Sequence, residues 1–582
     1  MLRALERGLA ASVLAAGLVA ALPSQLQDIP APGAMPAGTA ESPALVMHID
    51  FDAFRRGMES SRIRACWSDP LVAAWRETVF APWLAGMQRG SPVDQQALLA
   101  SLTGDAAILI APEAPTATGR QRFGSAMAFR QPGRIASFEQ VMQPAIAEQA
   151  QGRLDYAIRV GEDMLVIGNA SAATKDALAG QLSWGAIGLG LSEPPGSFVS
   201  GRLDYGAMFA QLRAAGQMPD ALDALLFDLG LSQLGALEFS ARFSGTGGLV
   251  TEVEMDLTED RSGLLNQLGV DAPFRCLAAM PPGSLFSAAL RLAPPDEAFR
   301  WFETMLARHS VNAEQQAQEI EAAIQGLREA TGLDFRQEVL PALGQEVGFT
   351  FGGMSALAVD LAFFLEVRDA ATIQRLIDGL LARANEQATA QGRPPLQPSP
   401  FMAGTLQAQV ITLPTFPGQL CYAFSGAHLI VTTSATEMTA IGQALASGQS
   451  LAQTAEFQEV FGGEAPLGAA FTFRDTARLL QGLLQLAAPI LAERGAQVPP
   501  ELAALLGQIP QLVQHTGPRG MVLSAQEQRV SLRSVNASGA EYLLLWMLAL
   551  TSAQSPSAPP DTAAPASPEV AAAASPEAPL LS

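Results

Sequence analysis

The chain has 582 residues, 49% hydrophobic and 16% charged, which is long enough for two or three domains and too polar for a membrane bundle. Its net charge of −21, with Lys175 the only lysine and no run of Arg, works against nucleic acid and anionic lipid surfaces, because both are polyanions. Three cysteines, Cys66, Cys276 and Cys421, none in a C-x-x-C pair, fit neither a disulfide scaffold nor a zinc site; an oxidising compartment would permit one bridge, and spacing does not choose the pair.

Residues 1–22 read as a secretory signal. Arg3 and Arg7 give a basic start, Gly8 to Leu22 is small and apolar apart from Ser12, and Val19-Ala20-Ala21 is a cleavage site. The run is about 15 residues, short of the roughly 20 that span a bilayer. Cleaved signal and uncleaved N-terminal anchor both fit it. Residues 23–43 form a Pro/Ala/Gly linker without periodicity, expected to be disordered.

From Ala44 a unit recurs in which a strand hands over to a helix through an aspartate. Leu45 to Phe51 leads through Asp52 to Phe54 and Met58, and Phe198 to Leu203 leads through Asp204 to Met208, Phe209 and Leu212. Leu285 to Leu292 leads through Asp296 to Phe299, Phe302, Met305 and Leu306, and Leu467 to Phe473 leads through Asp475 to Leu479, Leu480, Leu483 and Leu484. Helix capping explains these carboxylates better than catalysis or metal binding, since an N-cap Asp accepts from the free N–H groups of the first turn.

Between these units lie further matched pieces. Leu98 to Gly104 precedes a strand at Ala106–Ile110, and Val339 to Gly344 precedes one at Glu346–Phe351. Phe138, Val141, Met142, Ala145 and Ile146 share their spacing with Ile373, Leu376, Ile377, Leu380 and Leu381, the period of one buried helical face. Pro144 predicts a kink or a short helix in the first of these. Hairpins follow: Leu154-Asp155-Tyr156-Ala157-Ile158 to Val166, turning at Gly161, and Leu420-Cys421-Tyr422-Ala423-Phe424 to Val431, turning at Gly426. Helices are expected near 172–182 and 437–446. A closing hairpin is expected in each half, at Gly235–Asp256 around Gly245-Thr246-Gly247-Gly248 and at Met521–Val535 around Ala525–Gln528. The order thus repeats, and repetition of order outweighs any one match. The halves are set at 44–275 and 284–551, with Pro281-Pro282-Gly283 as the seam. The helix from Asn312 to Ala330 reads as an insertion, and Thr389 to Pro400 as a polar loop. Tyr542 to Leu550 is too short to span a membrane and reads as a buried final element. Residues 552–582, rich in Ala, Pro and Ser, read as a disordered tail.

Leu340-Pro341-Ala342-Leu343-Gly344-Gln345-Glu346-Val347, taken with the Tyr422 hairpin and Ser450-Leu451-Ala452-Gln453-Thr454-Ala455-Glu456-Phe457, resembles a family of exported bacterial proteins grouped as a domain of unknown function. Its members carry a signal peptide, a Leu-Pro-x-Leu-Gly-x-Glu-Val-like segment, and a strand pair followed by a helix and a Leu-x-x-Ser/Thr-x-x-Phe step. The resemblance covers most of 44–551 in layout and these short segments in residues. It implies export, and it supplies no catalytic residues.

No motif for chemistry stands out. His48, His309, His428 and His515 are scattered, without a His-x-x-x-His or a nearby Cys. His48 and His428 read as ordinary strand residues. There is no Gly-x-Ser-x-Gly elbow and no phosphate-binding loop. Gly185, Gly188 and Gly190 run into Pro194-Pro195 and open no helix. Asn169-Ala170-Ser171 and Asn536-Ala537-Ser538 match a glycosylation acceptor that arises often by chance. Tyr156 and Tyr422 read as packing residues of half-buried sheets.

The sequence therefore predicts an exported, acidic α+β protein of two related halves, each a mainly antiparallel sheet with amphipathic helices packed on one face. It identifies no catalytic, cofactor-binding or metal-ligating residue and implies no cofactor. The leading reading is a non-catalytic periplasmic or envelope protein that binds or scaffolds, an apolar ligand such as lipid being one version. The alternatives are a hydrolase-like enzyme whose site assembles from dispersed acids and arginines, and a structural protein tethered by residues 1–22. A lipid or a protein is the partner class these readings call for.

Overall fold

The computed structural model of the protein describes residues 45–82, 101–113, 122–149, 156–160, 163–168, 194–214, 220–310, 312–354, 359–413, 419–482 and 510–538, with single residues 85, 97, 218, 507, 508, 540 and 547. The expected signal, linker, 172–182 helix, Gly185–Gly190 segment, Asn169 acceptor and C-terminal tail lie outside the described residues, as does all of Tyr542–Leu550 except Met547.

In chain order the strands are β1 (Leu45–Asp50), β2 (Asp105–Glu113), β3 (Arg122–Arg130), β4 (Tyr156–Val160), β5 (Met164–Gly168), β6 (Ser197–Asp204), β7 (Leu234–Phe243), β8 (Leu249–Leu257), β9 (Ala272–Pro273) and β10 (Phe286–Arg291). They continue as β11 (Leu343–Met354), β12 (Val359–Val367), β13 (Ser399–Ala403), β14 (Leu406–Thr412), β15 (Gln419–Ser425), β16 (His428–Thr432), β17 (Leu467–Gly468), β18 (Ala470–Asp475), β19 (Pro518–Ala525) and β20 (Arg529–Asn536). Eighteen of them form one sheet, and β9 and β17 pair separately. The hydrogen-bonded order is β4–β5–β3–β2–β1–β6–β7–β8–β20–β19–β18–β10–β11–β12–β16–β15–β14–β13, antiparallel throughout. The architecture is α+β. The expectation of one sheet per half is corrected: β8 pairs with β20 along its length, from Leu249 opposite Asn536 to Asp256 opposite Arg529, so the sheet runs on without a break.

The expectation of helices on one face is also corrected. Successive strand residues point to opposite sides. Ala423 and Ile430 pack with Met438 and Ile441 of the helix Ala435–Ser447, whereas their neighbours Tyr422 and Leu429 pack with Ile373 of the helix Ala370–Ala390. Both faces of this part of the sheet are therefore covered. At the other end, Phe138 of the helix Ile135–Gln149 packs on Phe129, ring centroids 4.9 Å apart, within a cluster that includes Ile49, Ile108 and Leu165. That helix continues through Pro144. Of the five apolar positions expected to be buried on the helix Ala370–Ala390, Leu380 is 45% exposed. The helix Ala313–Thr331 packs against Pro295–His309 and Ala370–Ala390, and Arg336 bridges Glu303 and Glu321 beneath it. The loop expected at Thr389–Pro400 is shorter, because the helix reaches Ala390 and Ser399 already pairs with Val410.

Two of the four expected caps are as read: Asp204 accepts from Ala207 N–H at 2.8 Å and Asp475 from Arg478 N–H at 3.1 Å. The first helix starts two residues earlier than expected, at Phe51, and Asp50 caps it by accepting from Ala53 N–H at 2.7 Å; Asp52 instead bonds Arg55 and Gly104 N–H. Asp296 lies inside the first turn of Pro295–His309, paired with Arg300, because two prolines already set that start. Losing a side-chain cap costs about 1 kcal/mol. Asp50→Ala, Asp204→Ala and Asp475→Ala should therefore each lower the stability in urea unfolding by about that much, and Asp296→Ala by less than about 0.5 kcal/mol.

Candidate functional site

The most deeply buried charge lies where β10, β11 and β16 meet the segment Pro273–Cys276. Glu346 on β11 has no exposed side-chain surface. Its Oε2 accepts from Arg291 Nη2 at 2.8 Å and from Arg275 N–H at 3.1 Å, and its Oε1 from Cys276 N–H at 2.6 Å and from His428 Nε2 at 3.3 Å. Arg291 also donates to Pro273 carbonyl at 2.8 Å and lies over the Phe274 ring at 5.7 Å. One strand away, Glu366 Oε2 accepts the backbone N–H groups of Gln345 and Glu346 at 2.8 and 3.0 Å, where the β11–β12 register shifts. Burial alone would raise the Glu346 carboxyl. The hydrogen bonds from His428 and from the Cys276 and Arg275 backbones outweigh it and hold the group at about 2.

Four donors on two oxygens saturate this carboxylate. It stays ionised, and a substrate would have to displace a structural bond to reach it. The arrangement fastens the Pro273–Cys276 segment to the sheet and gives Arg291 a counter-charge and His428 a hydrogen-bond acceptor. A smaller acid–base group occurs on β1–β3, where Asp105 faces His48 at 3.5 Å and Arg130 at 3.7 Å with about a quarter of its side chain exposed.

Other ion pairs join parts of the chain that are far apart in sequence. Asp228, at the end of the helix Asp220–Leu229, pairs with Arg308 and with His309 Nε2 at 2.6 Å, in the last turn of Pro295–His309. Asp69 pairs with His515 Nε2 at 2.9 Å, and Arg62 with Glu459 at 2.6 Å. Burial would raise Asp69, but the bonds from His515 and Leu71 N–H outweigh it and lower the carboxyl. Each of the four histidines thus faces a carboxylate.

The described residues hold no group of three or more His, Cys, Asp or Glu able to bind a metal. Burial, then the Asp69 charge, pushes the Cys66 thiol up to about 12. Burial, then Glu346, raises Cys276 well above the ordinary thiol range, and burial raises Cys421. All three are free, buried and unreactive as neutral thiols. A cleft of about 80 Å³ lies on β6–β8, lined by Ser200, Glu238, Ser240, Glu252 and Glu254. That is room for two or three waters at about 30 Å³ each.

Of the residues singled out in the sequence, His48 and His428 are strand residues, and both face acids. Tyr422 is 7% exposed in the cluster around Ile373, and the Tyr156 side chain lies outside the described residues. Asn536 is buried at the end of β20, its Oδ1 accepting from Ser538 N–H at 3.1 Å, which leaves no room for a glycan. Sequence reasoning missed Glu346, Arg291, Glu366 and Glu437 as buried or bonded acids and bases. Glu346 was within view, as the acid of the Leu-Pro-Ala-Leu-Gly-Gln-Glu-Val segment.

No family model, curated protein or solved structure matches this chain.

Removing one member of a buried ion pair costs about 3–5 kcal/mol, because the partner is left buried without a counter-charge. Glu346→Gln should lower unfolding stability by that amount in urea titrations, and a loss below about 1 kcal/mol would contradict the role given to it. A carboxyl whose folded pKa lies below its unfolded value contributes stability that is complete above the unfolded value, 4.5, and lost as pH falls through about 2. Acid unfolding of the parent protein should steepen across that window relative to Glu346→Gln.

Proposed function

We propose that this chain is an exported, non-catalytic protein of the periplasm or cell envelope that binds or scaffolds, built from two related halves. The observation that carries the reading is the use of buried charge. The buried Glu346 and Asp228, and the partly buried Asp69, are each engaged in holding one part of the chain to another. The N-terminal run 1–22 and the resemblance of the Leu340–Val347 segment to exported proteins support export. No helix among the described residues is long and apolar enough to cross a membrane.

Strand register supports the two related halves. With Ile49 set against Leu290, the pairings Ile49–Ala106–Phe129–Leu165 correspond to Leu290–Val347–Leu365–Leu429. In the other direction Ile49–Val199–Ala241–Thr251 correspond to Leu290–Ala470–Leu523–Leu532. At the join, Thr251 opposite Ser534 corresponds to Leu532 opposite Val253, so Glu252 opposite Arg533 would lie on a two-fold axis. Bonds outside the ladders agree: Phe51 N–H to Gly104 O with Leu292 N–H to Gln345 O, and Gln131 N–H to Asp163 O with Val367 N–H to Ala427 O.

The tyrosine hairpins are not among these supports. The loop between Val160 and Met164 is one residue longer than the loop between Ser425 and His428. The matching therefore sets Tyr422 against Ala157, and Tyr156 against Cys421. It sets His428 against Met164, not against Asp163 as counting from the turn glycine suggests. The repeated Leu-x-Tyr-Ala string falls on opposite sides of the sheet.

Cell fractionation with mass analysis of the mature N-terminus tests export. A periplasmic protein lacking roughly the first 22 residues is expected. An intact N-terminus in the membrane fraction would favour the tether, and full-length soluble protein in the cytoplasm would overturn export. For the non-catalytic reading, the purified full chain is assayed against ester, peptide and phosphate substrates beside Glu346→Gln and Glu437→Gln. No turnover that either substitution abolishes is expected, and one such loss would make the protein an enzyme.

A further inference from the structure

A second buried glutamate is the opposite of the first. Glu437 is the third residue of the helix Ala435–Ser447, after the N-cap Ser434, and its side chain is 5% exposed. The spacing Ser434-Ala435-Thr436-Glu437 is that of a capping box, in which the Glu would fold back on the N-cap backbone in water. Half of the box forms, with Ser434 Oγ accepting from Glu437 N–H at 3.0 Å. The carboxyl instead turns inward onto β11, where Thr350 Oγ1, itself wholly buried, donates to Oε1 at 3.3 Å. Oε2 fills the space above Gly352, where a Cβ would come within 2.4 Å of it. Among the described residues no cation meets Glu437. The charged group that acts on it is another acid, Asp360 of β12, which is held by Ser434 Oγ at 2.6 Å. From β11 it meets Thr350 and Gly352, and from its own helix Ser434. Met438 and Ile441, which follow it on the helix, sit in the cluster with Ala362 and Phe364.

We propose that Glu437 is a protonation-controlled latch: neutral, its carboxyl seats the helix Ala435–Ser447 on Thr350–Gly352 of β11 and Asp360–Ala362 of β12, and ionised, it forces that corner open. Ionisation would put two carboxylates at one corner with no counter-ion among the described residues, one of them nearly fully buried, where water is the cheapest remedy. Lifting the helix start from Gly352 would admit water to the Glu437 carboxyl, with loss of the Asp360–Ser434 and Thr350–Glu437 bonds. Burial, then the Asp360 charge, raises the Glu437 carboxyl from 4.5 to about 7, which sets the switch near neutrality.

The sign follows from proton linkage. The closed corner holds the proton over a range where the open one has released it, so opening becomes easier as pH rises from 4.5 and levels off above about 7. Amide hydrogen exchange on the full chain, corrected for the intrinsic pH dependence of exchange, reads this directly. Protection of 350–352, 360–362 and 434–441 should fall about tenfold per pH unit between about pH 5 and pH 7, then level off. Glu437→Gln should keep the pH 5 protection at every pH, and Asp360→Asn should move the levelling point to lower pH. Protection that is flat in the parent protein, or a pH dependence that survives Glu437→Gln, overturns the latch. If Glu437→Gln does not fold, Asp360→Asn decides alone: an unmoved levelling point overturns it.

Discussion

The pairing of β8 with β20 is the constraint on which the rest depends. A strand presents a row of backbone donors and acceptors that must find partners, and a sheet edge leaves half of them unmet. Were each set of strands to stop at its own last hairpin, β8 and β20 would both be edges. Their union leaves one eighteen-stranded sheet with β4 and β13 as its two edges. The join also brings Asp228 to Arg308 and His309, and Asp69 to His515, contacts between segments 80 or more residues apart that separate sheets would not produce.

Coverage of the sheet then decides what polar groups can do. Where the Glu346 side of β10–β12 is covered, an acid is removed from water and must be answered locally. Glu346 is answered by Arg291, His428 and two backbone N–H groups, and its carboxyl falls to about 2. Glu437, on the same side of β11 and also nearly fully buried, is answered by one hydroxyl and opposed by Asp360, and its carboxyl rises to about 7. Two glutamates under one layer of helices thus differ by their partners, with burial common to both. The first binds the structure together at any physiological pH, and the second does so only while it keeps its proton.

These contrasts were hard to read in the sequence for a definite reason. The helices were legible: the spacing of Ile373, Leu376, Ile377 and Leu381 is a local property that tertiary contacts have only to use. The closing hairpins were legible because glycine and polar residues separate two alternating runs. Burial within β11 was not. Val347, Phe349 and Phe351 alternate with Glu346, Gly348 and Thr350, and the first set looks like the core face. In the structure the second set is the more buried, with Glu346 and Thr350 at 1% and 0% exposure, because the first set faces a side that is only partly covered, where Phe363 beside Phe349 is 42% exposed. Alternation identifies two faces but cannot tell which is the more covered. The tyrosine hairpins failed for a related reason: a loop longer by one residue turns every following side chain to the other side. The hairpin of β13 and β14 was hidden by Pro400, which an edge strand tolerates and an inner strand would not.

The join itself explains the charge on β8. That strand ends at residue 257 and its partner begins at residue 529, so during synthesis β8 stands as an open edge until the last strand arrives. An exposed edge invites pairing with another chain, and charge is a common protection. β8 carries Glu252, Glu254 and Asp256 at alternate positions on one side, which would repel a second copy of itself. β20 brings Arg529 and Arg533, which lie 3.1 Å from Asp256 and 3.4 Å from Glu252. A slip of the pair by two residues keeps the sides of the sheet but leaves one arginine opposite Glu254 in place of the two pairs Arg533–Glu252 and Arg529–Asp256, so the charges favour the observed register by one opposite pair. One row of acids thus guards the edge while it is open and fixes its alignment when it closes. This is why the strand at the centre of the sheet is also among its most charged.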